Sequence, residues 1–106
     1  MINTENLKQY LRDFAAARDW EKYHSPKNLV MAMSVEMAEL MEHFEWMTEQ
    51  QSLDLDAKTR EEVALEMADV LIYLVRMADR CEVDLNEAVK RKIVLNGEKY
   101  PPISSD

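Results

Sequence analysis

Two pairs of carboxylates at helical spacing are the residues best suited to carry chemistry in this sequence. Glu36 and Glu39 stand three residues apart, and so do Glu66 and Asp69. In a helix this spacing places both members of a pair on one face. Both pairs have apolar neighbours, which predicts a position at the edge of a core, where unneutralised carboxylates are costly. Two such pairs on two core helices would surround one point with four carboxylates, and a hard cation would make that arrangement tolerable.

Carboxylate oxygens favour Mg²⁺, with Mn²⁺ as a substitute, because these ions take oxygen ligands and keep waters and substrate phosphates in their coordination shell. A di-iron site is disfavoured, since it needs Glu-x-x-His on two helices. Here Glu39 and His43 are four residues apart, and the helix that carries Glu66 has no His. The alternative for any single glutamate is a solvated side chain paired with a nearby lysine. That alternative accounts less well for two pairs that both have apolar neighbours.

Hydrophobic periodicity predicts four helices that would position these pairs, over residues 4–20, 26–46, 59–80 and 84–97. Their starts are indicated by Ser25-Pro26 and by capping boxes at Thr59/Glu62 and Asp84/Glu87, and the last helix is expected to stop at Asn96-Gly97. Met37 and Met41 are expected to face inward from the second helix, and residues 48–57 to form a loop. The sequence therefore predicts an all-α fold, an antiparallel four-helix bundle, in a single domain of residues 1–106.

Composition and charge exclude several classes of partner. The net charge of −8 argues against nucleic acid or an anionic membrane surface as a partner. One Gly and three Pro are too few for an all-β chain with many turns. No apolar run reaches the roughly 20 residues of a membrane span, and no signal peptide opens the chain. The single Cys81 cannot form an internal disulfide. We therefore expect a cytoplasmic protein.

The third predicted helix is apolar on more faces than three neighbouring helices can cover. Leu71, Ile72 and Val75 face away from the side that carries Leu74 and Met77. We hypothesise that the excess is buried against another subunit, which makes the chain a homo-oligomer, either a dimer or a tetramer.

Beyond the carboxylate pairs, the order of several short motifs resembles the all-α MazG-like nucleotide pyrophosphohydrolases over residues 7–102. The motifs are Glu36-Met-Ala-Glu39-Leu, Phe44-Glu-Trp46, Glu66-Met-Ala-Asp69-Val-Leu-Ile-Tyr73-Leu, Asp84-Leu, and Asn96 with Lys99-Tyr100-Pro101. The segments Arg18-Asp19-Trp20 and His24-x-Pro26-x-Asn28-Leu29 look most like the dCTP pyrophosphatase branch of the family. One departure is Leu65-Glu66, where relatives often carry two adjacent glutamates; Glu62 is the residue that could replace the missing carboxylate.

The resemblance implies hydrolysis of a nucleoside triphosphate between the α and β phosphates, with dCTP or a modified dCTP as the favoured substrate. Mg²⁺ held by Glu36, Glu39, Glu66 and Asp69 would offset the phosphate charge and activate the attacking water. One of the glutamates would serve as general base, although the sequence does not distinguish which. Glu42, one turn beyond Glu39, is a reserve candidate whose alternative is a solvated helical glutamate.

Candidate substrate contacts lie outside the carboxylate pairs. By resemblance, Trp20 and Trp46 flank the nucleobase, with core packing as the alternative. Tyr73 lies two turns past Glu66 on the same face, so its hydroxyl could reach the sugar. Further candidates for sugar, base or phosphate contacts are Lys92, Asn96, Lys99 and Tyr100, with solvated charge as the alternative for the lysines. We interpret His24 and His43 as polar boundary residues.

Two alternatives to this function remain at the level of sequence. The first is a non-catalytic helical module that holds a structural cation or presents its acidic cluster to a protein partner. The second is the same hydrolysis of a different or broader set of triphosphates, because base selection depends on where a few hydrogen-bonding groups point.

Overall fold

The computed structural model describes residues 2–103, and these residues are helical over most of their length. The elements are α1 (Thr4–Ala17), a 3₁₀ turn (Glu21–Tyr23), α2 (Pro26–Glu42), α3 (Glu49–Ser52), α4 (Ala57–Arg80) and α5 (Leu85–Lys99). No strand occurs within the described range. The all-α prediction is confirmed, with one addition: the segment predicted as a loop between α2 and α4 contains the short helix α3.

Side-chain caps explain where the helices start, and they correct one predicted boundary. The hydroxyl of Ser25 accepts the N–H of Asn28, and Pro26 opens α2, as predicted. By contrast, α4 begins earlier than predicted, because the carboxylate of Asp56 accepts the N–H of Thr59 at 2.7 Å. Thr59 is therefore the third residue of α4 and not its cap. The predicted capping box at Thr59 is wrong.

Three predicted helix ends also differ from the structure, and the first is that of α1, which ends at Ala17 and not at Trp20. α5 continues through Gly97 to Lys99, and the Tyr100 N–H still bonds to the Asn96 carbonyl at 2.8 Å. A helix can absorb the conformational cost of one glycine, which is about 1 kcal/mol, so the Asn96-Gly97 stop is wrong. α2 ends at Glu42, and residues 43–47 form turns in place of the predicted final helical turn.

Both α1 and α4 end in a Schellman motif with an unusual residue at its left-handed position. The Trp20 N–H bonds to the Ala15 carbonyl at 2.9 Å after Asp19 takes a φ of 53°. At the end of α4, the Val83 N–H bonds to the carbonyl of Ala78, and Glu82 has a φ of 57°. Glycine usually occupies this position, because it has no Cβ to clash with the neighbouring carbonyl.

The core lies where α1 and α2 pack against α4. Leu29 is 2% exposed and Val75 is 1% exposed, and Ala15, Val63 and Ala78 are buried around them. Val75 is thus buried within one chain, against the prediction that it belongs to an apolar excess on α4. The large apolar side chains that α4 leaves exposed by more than a third are Leu65, Met67, Ile72 and Leu74.

Several apolar side chains have no cover within one chain. Met37 and Met41 of α2, expected to face inward, are about half exposed. Every residue of α5 except Leu85 is exposed, including Val89, Ile93 and Val94. The radius of gyration is 17.3 Å, whereas a compact chain of this length would have about 13 Å. The single chain is therefore elongated, with α1, α2 and α4 packed together and α5 extending from them.

The longest helix, α4, has 24 residues and carries charged side chains along most of its length. Among residues 2–103, no helix combines the length and the apolar character needed to cross a membrane.

Candidate active site

Three carboxylates from two helices converge between α2 and α4. α2 contributes Glu36 and Glu39, and α4 contributes Glu66; one oxygen from each lies within 4.8 Å of the other two. The i, i+3 spacing puts both α2 carboxylates on one helix face, and the packing of α2 against α4 brings Glu66 to that face. Asp69, one turn further along α4, acts electrostatically on Glu36, but its carboxylate lies outside this group of three.

The charges of this cluster are uncompensated within the described chain. None of the ion pairs formed by residues 2–103 includes Glu36, Glu39, Glu66 or Asp69. Burial raises the pKa of Glu36 from its ordinary 4.5 to about 7, and the neighbouring carboxylates of Glu66, Glu39 and Asp69 raise it further. Glu66 Oε2 is buried without a hydrogen-bond partner among the described residues.

This donor set fits a divalent cation. It consists of carboxylate oxygens alone, which is the ligand chemistry of Mg²⁺ and Mn²⁺. A cation would also partner the orphaned oxygen of Glu66 and offset the repulsion that raises the pKa of Glu36. His43 is not in the group: its Nδ1 lies 3.9 Å from Glu62 Oε2. The arrangement therefore does not have the glutamate–histidine ligands of a di-iron bundle.

A small cavity of about 130 Å³ lies next to α4, and its walls are mostly aromatic and aliphatic. It is lined by Leu11, Phe14, Trp20, His24, Leu29, Ile72, Tyr73 and Arg76. The structure thus brings together Trp20 and Tyr73, two of the candidate substrate contacts. Tyr73 is two helical turns beyond Glu66, so it connects the cavity with the carboxylate cluster along about 11 Å of the α4 axis.

Trp20 is held over this cavity by the end of α1. The Schellman motif that contains Asp19 turns the chain, and the Trp20 ring meets Phe14 edge-on, with centroids 5.7 Å apart. The Arg18 guanidinium lies over the ring of Phe14, 3.4 Å from the ring centroid. Trp20 is 42% exposed and also lines the cavity, so the residue is in contact with both the wall and solvent.

Two polar residues of the cavity wall, His24 and Arg76, were not assigned a role from the sequence. Arg76 donates from Nε to His24 Nδ1 at 3.2 Å and from Nη1 to Asp79 at 3.3 Å. Burial lowers the pKa of His24, and the charges of Arg76 and Arg80 lower it further. Arg76 could have been noticed as the only cation between Met67 and Ala78, but its neighbours there are set by tertiary packing.

The remaining candidate contacts lie apart from these two features. Trp46 is 89% exposed, in the turns that follow α2. Lys92, Asn96 and Lys99 lie on exposed α5, and Tyr100 follows it. A single chain thus brings together the carboxylates of α2 and α4, and the pair Trp20 and Tyr73, but it leaves Trp46 and the α5 residues on open surface.

Comparison with known proteins agrees with this architecture. Residues 31–106 match the model of the MazG-like family, and the chain belongs to this family. Its structure is similar to that of a pyrophosphatase from Archaeoglobus fulgidus, with a TM-score of 0.88 and 43% sequence identity over 96% of this chain and 95% of that chain. The resemblance inferred from the sequence motifs is confirmed.

Curated relatives are similar at the level of sequence. dCTP pyrophosphatase 1 from Homo sapiens is 44% identical over 99 residues, which cover 92% of this chain. The Bos taurus protein of the same name is 42% identical over the same length. The chain spans 58% of the length of the human relative and 59% of the bovine one.

Proposed function

We propose that this chain hydrolyses a nucleoside triphosphate, dCTP or a modified dCTP, to the monophosphate and pyrophosphate. The observation that carries the proposal is the convergence of Glu36, Glu39 and Glu66 within 4.8 Å. Two turns further along α4, Tyr73 lines an aromatic cavity. The names of the relatives support the reaction class, since one is called a pyrophosphatase and others dCTP pyrophosphatase 1.

The carboxylates would bind the cation and accept the proton of the attacking water. Glu36, Glu39 and Glu66 supply converging oxygens, and Asp69 lies close enough to add negative charge. When bound, Mg²⁺ would compensate the phosphate charge and activate the attacking water. The water oxygen attacks the α phosphorus, the bond from that phosphorus to the bridging oxygen breaks, and its electron pair leaves with pyrophosphate. A carboxylate of the cluster accepts the water proton.

The aromatic cavity would hold the nucleoside. Trp20 offers a flat apolar face for stacking, and such contacts contribute about 1–3 kcal/mol per base in other proteins. Tyr73 lines the cavity two helical turns from Glu66, and the sugar of a bound nucleotide would lie beside it. Close packing at this point would exclude a 2′-hydroxyl and favour deoxynucleotides.

We further propose that the site is completed across subunits of a dimer or tetramer. Trp46, Lys92, Asn96, Lys99 and Tyr100 are exposed in the single chain. The apolar side chains of α5 and of the outer face of α2 are exposed as well, and their burial is the usual driving force for obligate association. A partner that covers these surfaces would bring the α5 lysines and Trp46 towards a neighbouring carboxylate cluster.

Pyrophosphate release from a panel of deoxy- and ribonucleoside triphosphates tests the proposal. We expect release that requires Mg²⁺ and is fastest with dCTP or its 5-substituted forms. Glu36→Gln should reduce the rate about 100-fold or more, because it removes one oxygen ligand and one charge from the cluster.

The matched control is Glu61→Gln, the same change at an exposed position of α4 outside the cluster, which should keep wild-type activity. Equal rates for Glu36→Gln and wild type would contradict a catalytic role for the cluster. Absence of release from every nucleotide would favour the non-catalytic cation-binding module.

A further inference from the structure

Arg76 is a buried cation with one hydrogen-bonding group unused. Its side chain is 4% exposed, and it lines the aromatic cavity together with Trp20 and Tyr73. Nε donates to His24 and Nη1 to Asp79, whereas Nη2 is buried with no partner among residues 2–103. A buried donor without an acceptor is costly, and such groups are rare unless a ligand or water serves them.

One of the two acceptors of Arg76, the carboxylate of Asp79, is shared with a second arginine. Asp79 also receives both a 2.6 Å and a 3.1 Å hydrogen bond from Arg12. Two guanidinium groups therefore share one carboxylate, and Asp79 accepts a hydrogen bond from Nη1 of Arg76 but not from Nη2. The unsatisfied donor belongs to a side chain that is buried by packing around α4.

The neighbouring His24 adds a second donor to the same wall. Its Nδ1 accepts a hydrogen bond from Arg76 Nε, so the neutral ring carries its proton on Nε2. Burial and the charges of Arg76 and Arg80 keep this ring neutral by lowering its pKa. The polar part of the wall formed by Arg76 and His24 consequently offers donors, and a ligand with adjacent acceptors matches it.

Among pyrimidine bases, cytosine has an edge with two adjacent hydrogen-bond acceptors. Its N3 and O2 are neighbouring acceptors, while uracil and thymine carry a hydrogen at N3 that would face the guanidinium. A purine base is disfavoured by its size, because the cavity has a volume of only about 130 Å³ before any side chain moves.

We propose that Arg76 is the specificity-determining residue of the nucleobase site, donating from Nη2 to the N3/O2 edge of a cytosine stacked on Trp20. This inference rests on the proposed function, because it assumes that the cavity receives the base of the substrate. Nη2 is covered in the unliganded chain, so a side chain of the wall must shift as the base enters. Trp20 is suited to this movement, because it follows a turn and part of the residue already faces solvent.

The test compares dCTP with dUTP in the wild-type protein and in Arg76→Lys, which keeps the charge but lacks the planar fork. We expect the ratio of kcat/KM for dCTP over dUTP to fall about tenfold or more in Arg76→Lys. A structural role alone would lower both values together and leave the ratio unchanged, which would overturn the proposal. The matched control is Arg12→Lys, which alters the other guanidinium on Asp79 without touching the cavity and should keep the wild-type ratio.

Substrate analogues keep the proposal testable if Arg76→Lys does not fold. 3-Deaza-dCTP replaces the N3 acceptor with C–H, and wild-type protein should use it about tenfold less well than dCTP. Equal use of the two substrates would overturn the proposal without any variant.

Binding separates this proposal from the proposed function. Isothermal titration with dCMP and dUMP measures base selection without turnover. If wild-type protein releases no pyrophosphate from any nucleotide, the proposed function fails, while tighter binding of dCMP than dUMP that is lost in Arg76→Lys would still support the role of Arg76. Equal binding of dCMP and dUMP by wild-type protein would overturn it.

Discussion

The α2–α4 pair and α5 carry comparable patterns of apolar residues but differ sharply in how those residues are buried. Leu29 and Val75 are almost inaccessible at the contact between α2 and α4. Ile93, at the centre of the apolar stripe of α5, is 65% exposed, and no residue of α5 is buried. The same periodicity thus produces a core in one region and an open face in the other.

This difference coincides with the division of the candidate site. The carboxylates and Trp20 belong to the packed region, and Lys92 and Asn96 belong to the open one. A helix with an uncovered apolar stripe is stable only with a partner in most proteins. Burial of α5 against a second chain would therefore stabilise the helix and supply its polar residues to a site in the same step.

A charge in the apolar stripe of α5 should have the largest effect. Ile93→Glu should dissociate the oligomer and reduce turnover about 100-fold, because burying an unpaired carboxylate at an interface costs several kcal/mol. Light scattering and pyrophosphate release measure the two consequences. Arg91→Glu, on the opposite face of the same helix, is the control and should do neither. A variant Ile93→Glu that is monomeric yet fully active would show that each chain holds a complete site.

Complementation between defective subunits should restore part of the activity. Glu36→Gln removes a carboxylate of the cluster, and the double variant Lys92→Ala/Asn96→Ala removes the candidate substrate contacts on α5. Each protein alone should therefore be nearly inactive. If one site draws on both subunits, mixed and re-equilibrated proteins should recover about a quarter of wild-type turnover, since half of the dimers are mixed and each has one intact site. Additive, near-zero activity in the mixture would place both sets of residues in one chain.

The smallest predicted effect is a pH dependence of stability confined to the packed region. The pKa of Glu36 is raised from 4.5 to about 7, so between these values the folded chain holds a proton that the unfolded chain has released. The contribution of Glu36 to stability should be most favourable below pH 4.5, decrease as pH rises through this window, and reach its lowest value above about pH 7. Thermal denaturation by circular dichroism in EDTA should show a decreasing Tm from pH 5 to pH 8.

Two controls identify the source of that slope. Glu36→Gln should flatten it, and Mg²⁺ should raise the Tm most at the alkaline end, where the ligand is ionised. A Tm that rises with pH in EDTA would contradict the raised pKa of Glu36.

Local signals in the sequence predicted those parts of the fold that depend on neighbours in the chain. Ser25-Pro26 starts α2 as expected, because both the cap and the proline act within one turn. Asp56 and Thr59 are both good caps, and only the structure shows that Asp56 is used. Asn96-Gly97 predicted a stop that does not occur.

For the site, spacing predicted which carboxylates share a face but not their distances. Glu36, Glu39 and Glu66 converge. Asp69 follows Glu66 by three residues on α4 and is not part of this group. The surroundings of Arg76 were out of reach, because His24 and Arg76 are 52 positions apart in the chain. Polar contacts of this kind come from packing and leave no periodic pattern.

The left-handed backbone at Asp19 has a consequence for how tightly Trp20 can be held. An L-residue in this conformation costs about 1–2 kcal/mol, a cost that glycine avoids. Glycine at this position would stabilise the turn but would also allow more conformations at the junction, so the ring would be less restricted before a ligand arrives. The chain thus retains a less favourable residue at the junction between α1 and Trp20, and less entropy would be lost if a base stacks on Trp20 as we propose.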